Sequence, residues 1–126
     1  MSAAGRSRAA VVAALSAGAL AAACGTSRSS STVPGGDPQR GRDLIAQYGC
    51  GSCHVIDGVR GADGTVGPPL AHFGTKRLIA GTLPRTRANA IRWIRDPPAV
   101  KPITLMPVLG VRGQDARDIV AYLYSQ

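Results

Sequence analysis

The chain has 126 residues, 44% of them hydrophobic, 4% aromatic and 17% charged, with a net charge of +8. That length allows one domain, and with so few aromatic rings the apolar side chains alone make a marginal core. A basic balance admits nucleic acid or an acidic protein surface as partner, and the first residues argue against nucleic acid.

Residues 1–23 have the pattern of an export signal. Arg6 and Arg8 form a short basic region, residues 9–23 are an Ala-rich apolar run, and small residues lead up to Cys24. The run falls short of the about 20 apolar residues that span a bilayer, so removal is expected, and the exported chain has no nucleic acid to meet. Leu20-Ala21-Ala22-Ala23-Cys24 resembles a bacterial lipobox, in which the cysteine is diacylated and becomes the new N-terminus. The match is imperfect: Ala21 stands where such boxes usually carry Leu, and Ala21 with Ala23 equally suits ordinary cleavage, which leaves a free thiol. Lipidation of Cys24 is the expectation, because an exposed unpaired cysteine invites oxidation. Residues 25–36 have the Gly, Ser, Thr and Pro composition of a flexible tether. The division is therefore signal over 1–23, lipobox cysteine and linker over 24–36, and a folded domain over 37–126.

Asp37-Pro38 supplies an N-cap and a proline at the first helical position. Gly41, Leu44, Ile45 and Tyr48 then fall on one helical face, and Gly49 ends the helix. Cys50-Gly51-Ser52-Cys53-His54 follows at once, and a C-x-x-C-H run is the attachment signature of c-type haem. Two cysteines three apart on a helical turn point the same way, so both sulfurs can form thioethers with the vinyl groups on one porphyrin edge. His54 can then offer its imidazole to the iron. A structural zinc site wants four ligands, usually from two such pairs, and only Cys24 and His72 remain outside the motif. A thioredoxin-like dithiol belongs to a βαβ pattern, and no strand run flanks these residues. With a single motif the expected cofactor is one haem c, bound through Cys50 and Cys53; flat and largely apolar, it supplies the core that the side chains lack.

A second helix begins at Thr86, carries Ala90, Ile91 and Ile94 on a common face with Trp93 beside it, and stops by Asp96 because Pro97 and Pro98 follow. A third covers 114–124, with Ala116, Ile119, Val120 and Leu123 at helical spacing. Gly- and Pro-rich loop fills the rest, with at most a weak short helix near 76–80. The expected fold class is all-α, three to four helices around the haem. For the sixth iron position Met106 is the candidate, the one methionine besides the initiator, in a loop stiffened by Pro102 and Pro107. His72 is the rival, expected instead to face solvent or a haem propionate.

Helix, Cys-Gly-Ser-Cys-His, Gly67-Pro68-Pro69-Leu70, a Met-Pro loop and a last helix containing Ala121-Tyr122-Leu123 together resemble a class I cytochrome c over residues 37–126. Ile91-Arg92-Trp93-Ile94-Arg95-Asp96-Pro97, Lys101-Pro102 and Leu105-Met106-Pro107 are similar to bacterial membrane-associated members and to cytochrome c domains fused to terminal oxidases. The resemblance implies that the Pro68 carbonyl orients His54, that Leu70 packs on the porphyrin, and that Gly41 makes room for the ring of Tyr122 where the first and last helices cross. It gives Trp93 a propionate to bond, with core packing as the alternative. Ile103 departs from the glycine common in relatives.

With His54 and Met106 both on the iron, neither oxygen nor substrate has an open site, and Met ligation favours a raised potential. The expectation is a non-enzymatic one-electron carrier, tied to the outer face of a bacterial cytoplasmic membrane. Its redox partners would be a quinol-oxidising complex, a dehydrogenase or a terminal oxidase. The rivals are a haem enzyme or gas sensor with a labile sixth ligand, and an electron-transfer subunit of a larger oxidoreductase.

Overall fold

The computed structural model describes residues 33–126; the expected signal over 1–23 and Cys24 lie outside them. Helix α1, Pro38–Gln47, starts where the sequence places it, because the Asp37 carboxylate accepts the N–H groups of Gln39 and Arg40 at 2.9 and 3.2 Å. Gly41, Leu44 and Ile45 form its buried face. Helix α2, Arg87–Arg95, is capped by the Thr86 hydroxyl, which accepts the Asn89 N–H at 3.1 Å. Asp96 ends α2 and at the same time caps α3, Pro97–Val100, by accepting the Ala99 N–H at 3.2 Å. The proline that cannot continue one helix thus occupies the first position of the next, and a short helix stands where loop is expected. Helix α4, Gly113–Tyr124, is the long buried element of the core.

The weak helix expected near 76–80 is absent, and a hairpin replaces it. Strand β1, Leu78–Ile79, runs antiparallel to β2, Leu83–Pro84, with Ile79 opposite Leu83. Ala80, Gly81 and Thr82 connect them: Ala80 and Gly81 turn at φ 53 and 76°, and the Thr82 N–H closes the turn on the Ile79 carbonyl at 3.1 Å. Strands of two residues are too short to show alternation, so no period betrays them.

Helix α4 packs against both α1 and α2. At the crossing with α1 the backbones touch: a Cβ on Gly41 would run into the Asp118 carbonyl and lie 3.0 Å from the Ile119 nitrogen. The atoms nearest to the place of a Gly41 side chain are therefore main chain of α4. The ring of Tyr122 is buried, its hydroxyl donating to the Asp57 carbonyl at 2.6 Å. Asp118, 1% exposed, binds three donors: the Asp37 N–H and the Gln114 amide at 2.9 Å each, and the Arg40 guanidinium.

The fold begins earlier than residue 37. Val33 is 4% exposed, the Gly35 carbonyl accepts from Gln114 at 2.7 Å, and Gly36 lies against the Arg117 carbonyl and the Ala121 methyl. The end of the expected tether is thus packed on α4, and Val33, its single aliphatic residue, anchors it. Among the described residues no helix is long and apolar enough to cross a membrane.

Candidate functional site

The carbonyls of the motif segment determine the site. Gly51, Cys53 and Val55 present theirs to the returning chain, which donates the N–H groups of Gly64, Gly67 and Leu70 at 3.0, 2.7 and 2.9 Å. This ladder lays residues 64–70 alongside Cys50-Gly51-Ser52-Cys53-His54 and sets the Pro68 carbonyl oxygen 2.8 Å from Nδ1 of His54. A carbonyl only accepts, so Nδ1 carries the proton and Nε2 keeps its lone pair. Gly67 is part of the same fit: a Cβ there would lie 2.6 Å from Nδ1 and 2.9 Å from Nε2 of the ring.

Cys50, Cys53 and His54 open into a cleft of about 630 Å3 whose walls are largely aliphatic and aromatic. The 3-10 turn Cys50–Ser52 places the two cysteines on the same wall. They are not bridged to each other, and burial pushes the Cys50 thiol above its ordinary range. A redox dithiol needs the opposite shift.

Pro68, Leu70, Trp93 and Met106 line the same cleft, so every domain residue singled out in the sequence as cofactor-binding meets there. Leu70, Trp93 and Met106 are half-buried and pack against the core. His72 is exposed at φ 52° and does not line the cleft. The hairpin residues Leu78, Ala80 and Gly81 form a wall that the sequence does not announce, as do Lys101 and Thr104 on the facing loop. For Thr104 a signal exists: a hydroxyl two residues before Met106 is the spacing of a side-chain turn.

These donors fit a haem c. Two thiols sit beside a histidine whose tautomer is fixed and whose second nitrogen is unspent. A thioether lines the same apolar cavity, whose volume lies within the range of cofactor sites.

Residues 38–126 match the family model for cytochrome c. Subunit 2 of cytochrome c oxidase from Alkalihalophilus pseudofirmus is 33% identical over 87 residues, which are 68% of this chain and 25% of that protein. The subunit 2 of Bacillus subtilis is 30% identical over 88 residues, again 68% and 25%. That of Bacillus sp. strain PS3 is 37% identical over 62 residues, 48% and 17%. The chain thus spans a quarter or less of the length of these curated relatives. No solved structure gives a significant match. Fold, motif and family model agree, and the chain belongs to the cytochrome c family, proteins that transfer electrons on covalently bound haem.

Proposed function

We propose that the chain is a one-electron carrier holding a single haem c through Cys50 and Cys53, with Nε2 of His54 and the sulfur of Met106 as axial ligands. The observation that carries this reading is the convergence of Cys50, Cys53, His54 and Met106 on one apolar cleft, with His54 held by Pro68 so that Nε2 alone is free. A haem c bound there supplies reversible exchange between ferric and ferrous iron, at a potential that thioether ligation raises. The protein's part would be to keep the iron closed and dry: Leu70 and Trp93 wall the cavity, Pro68 fixes the imidazole, and the Met106 thioether would hold the iron against an entering substrate.

The donor and acceptor proposed are a quinol-oxidising complex or dehydrogenase and a terminal oxidase. The relatives' designation as oxidase subunits supports the oxidase, and makes a subunit of such a complex the second reading. Charge supports an acidic docking face. Residues 76–101 contain Lys76, Arg77, Arg85, Arg87, Arg92, Arg95 and Lys101 against one acid, Asp96, whose carboxylate is engaged in capping α3. Export, and attachment through a lipid on Cys24 at the outer face of the cytoplasmic membrane, complete the proposal.

An optical redox titration of the holoprotein tests it. One single-electron wave is expected, with the ferric charge-transfer band of thioether ligation present in the wild type and lost in Met106→Ala. A band that persists in Met106→Ala refutes the ligand, and rapid carbon monoxide binding by the ferrous wild type favours a haem enzyme or sensor instead.

A further inference from the structure

The loop that carries Met106 is almost without internal support. Among the described residues, the stretch 102–111 makes a single hydrogen bond, from the Met106 N–H to the Thr104 hydroxyl oxygen at 3.1 Å. Its neighbours do not hold it by packing either: Ile103 is 93% exposed and Leu105 86%. Thr104 and Met106, in alternation with them, are half-buried, and all four residues border the cleft. The prolines at 102 and 107 restrict the ends of this segment, but fix nothing about the direction of the residue between them.

We infer that Thr104 is a positioning residue for Met106. By accepting the Met106 N–H, its hydroxyl closes a side-chain turn over 104–106 and fixes the Met106 backbone, and with it the direction in which the thioether leaves the loop. The inference rests on the reading of Met106 as a ligand. A thioether is a weak, neutral ligand, so the fraction of time it spends off the iron depends on how well the loop is preorganised. A lost hydrogen bond of this kind corresponds to about five- to tenfold in such an equilibrium.

Thr104→Val keeps the shape and removes the acceptor, and Thr104→Ser keeps the acceptor. Both are made in the holoprotein, with imidazole as the probe of an opened sixth position. Thr104→Val is expected to bind imidazole to the ferric protein about five- to tenfold more readily and to weaken the thioether charge-transfer band. Thr104→Ser should restore both, with the urea midpoint little changed in either variant. Met106→Ala separates the two failures. If it keeps the band, the ligand reading has failed. If it abolishes the band while Thr104→Val binds imidazole as the wild type does, or while Thr104→Ser behaves as Thr104→Val does, the positioning role is overturned.

Discussion

His54 and Pro68 are joined by a hydrogen bond from Nδ1 to a main-chain carbonyl, a contact that no side-chain substitution at residue 68 deletes directly. Gly67 offers the way in. Gly67→Ala places a Cβ 2.6 Å from Nδ1, so the ring must turn and the bond must lengthen. Outer-shell disturbances of this kind typically weaken a metal site about 10- to 100-fold. Gly67→Ala is expected to yield holoprotein with a larger high-spin ferric fraction and a shifted potential; spectra identical to the wild type would refute the fit.

Gly41→Ala should act through packing alone. Its methyl meets the Asp118 carbonyl, α1 and α4 must separate, and overpacking of this kind costs about 1–3 kcal/mol. The melting temperature is expected to fall with the optical spectrum unchanged. Gln47→Ala, exposed on the same helix, should stay within about 0.5 kcal/mol of the wild type.

Asp118→Ala strands the Asp37 N–H and takes one acceptor each from Gln114, which keeps the Gly35 carbonyl, and from Arg40, which keeps Asp115. A buried donor stranded in this way costs about 1–3 kcal/mol, so a loss of about 3 kcal/mol in urea unfolding is expected. Asp118→Asn keeps one carbonyl oxygen and should lose less. Equal losses in the two variants would show that the negative charge matters and the hydrogen bonds do not.

The pair Tyr48 and Asp115 sets both ends of a pH window. The Tyr48 hydroxyl, 2.7 Å away, and then the Arg40 guanidinium hold the Asp115 carboxyl below the usual carboxylate range. A carboxyl depressed in the folded state contributes stability in full above its unfolded value of about 4 and loses it as pH falls through the folded value. Tyr48 is raised, first by the same hydrogen bond; its contribution is complete below about pH 10 and lost as pH rises through the folded value. Urea midpoints against pH should therefore show a shallower acid limb in Asp115→Asn and a shallower alkaline limb in Tyr48→Phe.

Much of the site is legible in the sequence because its chemistry is local. Cys50, Cys53 and His54 are consecutive enough for one turn to aim them, and caps at Asp37 and Thr86 are short-range devices that work wherever they occur. The roles of Gly67 and Gly41 depend on what another segment brings against them. At Gly41 the atoms that come nearest are main chain of α4, and a missing side chain does not say which atoms those are. Ala80 escaped because few non-glycine residues adopt positive φ, so Ala-Gly is a poor advertisement of a turn. Thr104 stands at the spacing of a side-chain turn before Met106, but only the exposure of Ile103 and Leu105 shows how little else steadies its loop.

Successive residues of an α-helix are rotated by about 100°, so positions two apart point to nearly opposite sides. On α4 that rotation divides two tasks: Ile119 and Leu123 line the cleft, while Arg117 and Ala121 carry the entering chain at Gly36. The chain entering at Val33 therefore packs on one side of α4 while the cleft opens on the other, so the entering segment and whatever occupies the cavity use different faces of the same helix.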